Sequence, residues 1–160
     1  MRACAAPRPS QEETWILPSM ISAYCALNRL GYAHSVEVWR DETLVGGLYG
    51  VGLGKAFFGE SMFSIETDAS KTALAALAYL GRMGYFEFID CQVESSHLTS
   101  LGARLISRET FEQKLENAIS EDMAQIQHII RGNTPVSVRS VPWQEVFPES
   151  TTQLLWDASA

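Results

Sequence analysis

The sequence predicts an α+β fold, a mixed sheet flanked by helices, and three patterns support that prediction. Apolar residues recur at helical spacing across positions 18–30, and they alternate with polar residues from position 34 onward. A nearly continuous apolar helix from position 69 then precedes a short apolar strand at 84–93. The predicted order is helix, three antiparallel strands, helix, strand, helix, strand, helix. At 160 residues, one domain with its own core accounts for the chain.

The composition narrows the possible functions. A net charge of −7 argues against a protein that wraps nucleic acid through its overall field, although a local basic patch could still hold a phosphate chain. Three cysteines without CxxC spacing indicate neither a disulfide framework nor a zinc site, so we expect a reducing, cytoplasmic compartment. There is no long apolar run and no signal-peptide pattern. We therefore expect no membrane partner, and neither a metal nor another cofactor.

Proline and glycine residues indicate where helices, strands and turns begin and end in the first half of the chain. Residues 1–14, with two prolines, predict an irregular lead-in. Pro18 begins a first helix that Gly31 ends. Two alternating runs then predict a hairpin with a four-residue turn at 40–43. The next turn is expected at 52–55 and a third strand at 56–64.

The second half begins with a capped helix. Asp68 is expected to accept hydrogen bonds from the first N–H groups of a helix over 69–83, which Gly84 ends. Because this helix is apolar almost all round, most of its surface should be covered by other parts of the protein. Further elements are a short helix capped by Ser95 or Ser96, a brief strand at 104–107 and a long helix from Arg108 to about position 130. This gives three segments: a lead-in at 1–14, a domain at 15–131 and a tail at 132–160.

The strand at 84–93 ends in polar residues. Because strand side chains alternate between faces, Asp90 and Gln92 are expected on one face, with Phe86 and Phe88 upstream on the same face. Ligands of open α/β sheets bind at such strand ends, which suggests a site. The alternative is that Asp90 only caps a turn and that Gln92 is solvated.

A second polar residue interrupts the third strand. Glu60 lies in an apolar strand, where a carboxylate must be paired or must await a cationic partner. Gly59 beside it leaves the backbone open. Neighbouring apolar residues could wall a pocket, although such residues are more often plain core: Phe58, Met62 and Phe63.

Other motifs favour structural roles. The glycine-rich run at 47–56 is not a P-loop, because Tyr49 stands at the first glycine position and Ala56 follows Lys55. The three histidines lack metal-ligand spacing. Cys91 is interpreted as a packed thiol. His97 either lines the cleft near Gln92 or is a capping or exposed residue.

Seven short runs together point to a family. HSVEVW, LVGGLYGV, FFGESMFS, ASK, IDCQ, HLTSLGA and ISRETF occur in this order, and from about Trp15 to Leu115 the chain resembles the leucyl/phenylalanyl-tRNA–protein transferases. The resemblance implies a fold like the GCN5-related N-acetyltransferases. It also implies transfer of Leu or Phe, with Met as a further candidate, from aminoacyl-tRNA to a protein with N-terminal Arg or Lys, marking it for N-end-rule degradation. The domain at 15–131 would then be the catalytic, acyltransferase-like one.

The resemblance also implies roles for individual residues. The family's catalytic pair falls on Asp90 and Gln92, and its third polar site residue falls on Glu60. Trp15 would stack on the terminal adenosine of the tRNA. The pocket for the transferred amino-acid side chain would be formed by five residues: Phe57, Gly59, Met62, Leu74 and Ile89.

Two departures from the family leave alternatives open. Asp68 replaces the family's Asn, and the family's N-terminal domain, with a second adenosine-stacking Trp, is expected to be missing. An acyl-CoA-dependent N-acyltransferase is one alternative, although IETDASK stands where acyl-CoA relatives have their pyrophosphate loop. The other alternative is a truncated, non-catalytic module that binds basic N-termini.

Overall fold

The structure is a computed structural model that describes residues 1–7 and 14–120, and it contains one mixed four-stranded sheet flanked by helices. The strand order is β1-β2-β3-β4, with the first three strands antiparallel and β4 parallel to β3. The α+β prediction is confirmed. The strands are β1 Ala33–Arg40, β2 Thr43–Leu53, β3 Ala56–Ser64 and β4 Phe88–Asp90. The helices are α1 Pro18–Arg29, α2 Ala69–Arg82, α3 Ser96–Ser100 and α4 Arg108–Ser120.

The turn of the first hairpin is tighter than predicted. Arg40 pairs with Thr43, so two residues rather than four make the connection. Asp41 allows this because it adopts the left-handed conformation, with φ of 52°, which Asp tolerates better than most residues. The third strand has the bounds that the sequence predicts, and residues 46–53 continue β2 rather than forming a phosphate-binding loop.

Helix α2 supplies most of the core on one face of the sheet. It packs against β1, β2 and β3, and nine of its fourteen residues are buried, which confirms that it is covered on most sides. Gly46 of β2 lies so close to Ala69 of α2 that a side chain at position 46 would overlap it. The buried cluster on this face contains Val36, Leu48, Phe57, Ala73, Leu74, Ala76, Leu77 and Phe86.

The predicted cap of α2 is wrong. Asp68 has left-handed backbone torsions, with φ of 65°, and its side chain makes no capping hydrogen bond. Its carboxylate instead pairs with Lys71, with 2.6 Å between Oδ1 and Nζ. The Ser70 N–H donates to Ser64 Oγ at 3.2 Å, so the end of β3 satisfies one of the free N–H groups at the helix start.

The opposite face of the sheet is covered by α1 and the N-terminal segment. Residues 1–7 form turns, as an irregular lead-in should, but Cys4 is only 5% exposed and packs with Ile16 and Tyr49. Partly buried neighbours complete this second cluster: Met1, Ala5, Ile21, Tyr24 and Phe63. The first residues of the chain are therefore part of the folded unit.

After β4 the sequence predictions are partly correct. Ser95 caps α3, its Oγ accepting from Leu98 N–H at 3.1 Å, and α4 begins at Arg108 as expected. The brief strand at 104–107 is wrong, because this segment has no partner strand and exposes Leu105. The extension of the last helix to position 130 and the tail at 132–160 lie outside the described residues. Among the described helices, none is long and apolar enough to span a bilayer.

We expect Gly50→Ala to destabilise the fold by about 1–3 kcal/mol, because the new methyl group would overlap the Phe58 carbonyl oxygen and lie 2.5 Å from Phe57 Cε1. Gly52→Ala is the matched control on the same strand, since its nearest neighbours are 3.7 Å away. Urea unfolding of both variants checks this. Equal urea midpoints for the two variants would show that β2 and β3 can move apart enough to accept the methyl group at position 50.

Candidate functional site

Glu60 lies in a β-bulge. Tyr49 pairs with Ser61 and Gly50 pairs with Gly59, so Glu60 is the extra residue between them and has no partner on β2. A bulge bends the strand locally and re-aims the side chain of the extra residue. The half-buried carboxylate in an apolar strand, noted in the sequence, therefore occupies an interruption of the hydrogen-bond ladder.

Burial, followed by the hydrogen-bonding influence and the negative charge of the nearby Glu60 carboxylate, raises the pKa of the Tyr24 hydroxyl on α1 to about 12. The hydroxyl is consequently protonated at neutral pH and remains a donor. The group that Glu60 influences on the α1 side of the sheet is thus a neutral hydroxyl rather than a cation.

Strand β4 is much shorter than the ten-residue strand that the sequence predicts. Only three pairs join it to β3, ending where Asp90 lies opposite Phe58. Phe86 precedes the strand in a bent segment and packs on Phe57, whereas Phe88 packs on Phe111 of α4. The prediction that Phe86 and Phe88 share a face is therefore wrong, because strand alternation begins only at Phe88.

A turn, not strand alternation, brings Asp90 and Gln92 together. The strand ends at Asp90, and Gln92 has a positive φ of 62°. The Gln92 backbone N–H donates to Asp90 Oδ1 at 2.8 Å, and the Gln92 side-chain Nε2 donates to the carbonyl oxygen of Gly59 at 2.9 Å. Asp90 does cap a turn, as the alternative held. Gln92 is exposed, yet its amide is fixed against β3.

These contacts gather three polar groups around Gly59. The Gln92 amide is bonded to the Gly59 carbonyl, and Glu60 is the next residue along β3. The Asp90 carbonyl oxygen lies 3.4 Å from the position that a Cβ on Gly59 would occupy. Beyond Phe58, β3 no longer pairs with β4, so the two strands separate at this point. Asp90 and the fixed Gln92 amide therefore lie at the end of β4 beside Gly59, and Glu60 follows Gly59 along β3.

The apolar residues assigned to a pocket lie together beside this opening. Phe57 and Leu74 are buried members of the α2-side cluster, and Met62 and Ile89 pack against it while remaining partly exposed. Phe57 also pairs directly with Ile89 across β3 and β4. We call the buried pair, Phe57 and Leu74, the floor residues, and the partly exposed pair, Met62 and Ile89, the rim residues.

Three other candidates remain, Trp15, His97 and Cys91. Trp15 precedes α1, is 47% exposed, and within residues 1–7 and 14–120 no hydrogen bond or ring contact joins it to Glu60, Asp90 or Gln92. His97 is exposed on α3. Burial and the nearby Asp90 charge raise the pKa of Cys91 to about 11, so its thiol is protonated at neutral pH, as expected of a packed cysteine.

The described part of the chain contains no group of three or more His, Cys, Asp or Glu side chains that could hold a metal ion. Tyr24 is the residue of this site that sequence reasoning missed. Its helical spacing identified it only as an apolar stripe residue, although a tyrosine on a packed stripe still needs a partner for its hydroxyl.

Comparison with known proteins places these residues in a family. The family model described as "Leucyl/phenylalanyl-tRNA protein transferase" matches residues 1–116. A transferase of that name from Nitrosospira multiformis is 58% identical over 121 residues, which cover 75% of this chain and 52% of that protein. The relative from Syntrophus aciditrophicus is 62% identical over 112 residues, covering 69% and 47%. The relative from Cellvibrio japonicus is 59% identical over 115 residues, covering 72% and 49%. The chain spans about half the length of these relatives.

Proposed function

The chain belongs to the leucyl/phenylalanyl-tRNA–protein transferase family, and we propose that it moves Leu or Phe from aminoacyl-tRNA to the N-terminal Arg or Lys of an acceptor protein. The observation that most supports this proposal is the linkage of Asp90 and Gln92 to Gly59, directly beside the bulged Glu60. We further propose that the sheet, which separates after Asp90, is of the GCN5-related N-acetyltransferase type. The product would be marked for N-end-rule degradation in the cytoplasm.

The proposed reaction needs no strong base to deprotonate the attacking amine. A free α-amino group has a pKa of about 8, so about a tenth is neutral at pH 7. The amine nitrogen attacks the ester carbonyl carbon, a C–N bond forms, and the C–O bond to the tRNA ribose breaks as the proton lost by the amine is passed on to the leaving hydroxyl. Because the ester is already activated, holding the amine and the carbonyl at attack distance contributes most of the rate.

The polar residues Asp90, Glu60 and Gln92 would bind and orient the attacking amine. The carboxylates of Asp90 and Glu60 attract the cationic N-terminus of the acceptor. One N–H of the Gln92 Nε2 donates to the Gly59 carbonyl and fixes the amide, and the side-chain oxygen is the group that accepts from the attacking amine and orients it. Since a carboxylate beside an ammonium raises the pKa of that ammonium, Asp90 must also accept or relay the proton.

The apolar residues select the transferred amino acid. Its side chain would lie over Gly59, between the rim residues Met62 and Ile89, above the floor of Phe57 and Leu74. A side chain of branched or aromatic shape fits such a surface, whereas a charged one would lose its hydration without a partner. Trp15, exposed at the start of α1, would stack on the terminal adenosine.

Met62→Ala should widen this pocket. We expect the ratio of kcat/KM for Phe over Leu to rise about tenfold, since a few methylene groups in an apolar pocket change discrimination by this order. Competition between Phe-tRNA and Leu-tRNA measures the ratio. Met83→Ala, on an exposed methionine after α2, is the control. An unchanged ratio in Met62→Ala would place the pocket elsewhere.

A transfer assay tests the proposed function. The chain is incubated with charged Leu-tRNA and a peptide that starts with Arg, and mass spectrometry looks for a peptide longer by one leucine. A peptide that starts with Glu should remain unmodified. The acyl-CoA alternative predicts instead that acetyl-CoA raises the melting temperature, because a ligand that binds only the folded form stabilises it. A passive binding module predicts binding of the Arg peptide without product.

A further inference from the structure

Strand β4 carries Asp90 but has a short backbone ladder. Three residue pairs join it to β3, and the last of these places Asp90 opposite Phe58. So short a parallel ladder fixes a strand weakly, because the stability of strand pairing depends largely on how the side chains pack. The position of β4, and of the carboxylate at its end, therefore depends on what its side chains contact.

The two faces of β4 contact different elements. Ile89 packs against the α2-side cluster, whereas the ring of Phe88 contacts the ring of Phe111 on α4. The centroids of these two rings are 5.9 Å apart and their planes meet at 78°, the edge-to-face arrangement that aromatic pairs prefer. Because strand side chains alternate, Phe88 and Asp90 lie on the same face. Phe111 therefore packs on the face of β4 that presents the Asp90 carboxylate.

Helix α4 is itself fixed to the sheet near its C-terminal end. The Lys55 N–H, in the turn between β2 and β3, donates at 2.9 Å to the carbonyl oxygen of Ala118, a fully buried residue. The Lys55 carbonyl oxygen accepts from the Glu87 N–H at 2.7 Å, directly before β4. The Lys55 backbone thus links the end of α4 to the start of β4, and Phe111 meets Phe88 one residue further along the strand.

We propose that Phe111 is a positioning residue for the transfer reaction: its ring, packed on Phe88, holds β4 at the distance from β3 at which the Asp90 carboxylate meets the attacking amine. This inference rests on the proposed function, because it takes Asp90 as the group that accepts or relays the proton. Phe111 itself does not touch the reacting atoms. Its effect on the rate passes through Asp90, so the effect should disappear when that carboxylate is absent.

The test is a double-mutant cycle on transfer kinetics. We expect Phe111→Leu to lower kcat about tenfold, because even a small displacement of a positioned group slows a reaction, and to leave KM for Leu-tRNA unchanged. In an Asp90→Asn background the same substitution should lower kcat by less than about twofold. A loss of folded protein would lower kcat equally in both backgrounds, so equal effects would overturn the proposal.

Two further variants on α4 make the result specific. Phe111→Tyr keeps the ring, and because Phe111 is only half-buried the added hydroxyl can reach solvent, so kcat should stay within about twofold of the starting value. Ile119→Ala, which truncates an exposed side chain in the last turn of the same helix, should leave kcat unchanged. A loss of rate in either variant equal to that in Phe111→Leu would overturn the proposal, because the ring contact would then not explain the rate.

Amide hydrogen exchange separates this inference from the proposed function. The Gln92 N–H donates to Asp90 Oδ1 at 2.8 Å, so its exchange rate reports whether the turn after β4 is in place. We expect this N–H to exchange up to about tenfold faster in Phe111→Leu, the order that loss of an aromatic pair allows, and at the starting rate in Ile119→Ala. An unchanged rate in Phe111→Leu overturns the positioning role whatever the activity. If the exchange rate rises but the starting protein transfers no amino acid, the proposed function is wrong, and the role of Phe111 in catalysis falls with it.

Discussion

Replacing Asp90 with Asn should lower the turnover number for aminoacyl transfer by about 100-fold or more, while the Kd for aminoacyl-tRNA changes by less than about threefold. Asn keeps an oxygen at the position that accepts from the Gln92 backbone N–H, so the turn after β4 remains. The variant removes only the negative charge and the ability to take a proton. Single-turnover rates and filter binding measure the two quantities separately.

Two further variants make this prediction specific. Asp90→Ala should be slower still, because it also removes the hydrogen bond that sets the position of Gln92. Asp68→Asn is the control for the loss of one carboxylate at an exposed position. If Asp90→Asn weakens tRNA binding as much as it slows turnover, Asp90 is a binding residue and the assigned chemistry is wrong.

The second large effect is expected for Gln92→Glu, which should reduce kcat by about 100-fold at neutral pH. A carboxylate cannot donate to the Gly59 carbonyl, so the contact that fixes residue 92 against β3 is lost. The new charge also lies beside those of Asp90 and Glu60, and like charges raise the pKa of the introduced carboxyl group. Steady-state kinetics with saturating Leu-tRNA measure the loss.

The pH dependence gives this variant a second signature. Protonation restores an O–H donor at position 92, so the ratio of variant to starting kcat should rise as the pH falls toward the raised pKa of that carboxyl group. Gln113→Glu, at an exposed position on α4, controls for added negative charge. Carboxyl groups with raised pKa values titrate between about pH 5 and pH 8. A ratio of variant to starting kcat that stays constant over this interval would contradict a role for the Gly59 contact.

Much of the fold could be predicted from local signals. Pro18, Gly31 and Gly84 mark the ends of α1 and α2 because their backbone preferences are strong. The sequence also predicts the third strand with its observed bounds. The length of β4 could not be predicted, because it depends on how far β3 remains within pairing distance, which is a tertiary property.

The site shows the same division between local and tertiary information. The sequence predicts that Asp90 and Gln92 are neighbours, but a turn with positive φ at Gln92 produces the contact, and no periodic pattern encodes that turn. The bulge at Glu60 results from the register of β2 against β3. Tyr24 reaches Glu60 only once α1 has packed on the sheet. Each of these features requires contacts between distant parts of the chain.

The central claim is that the described residues perform the transfer chemistry themselves. The most direct test uses a minimal donor, 3′-O-leucyl adenosine, which carries the reactive ester and the terminal nucleoside but no further tRNA. We expect the chain to leucylate an Arg-starting peptide from this donor faster than the uncatalysed aminolysis, and Asp90→Asn to remove most of that acceleration. A folded chain that gives no acceleration over the uncatalysed reaction at saturating donor would contradict the claim.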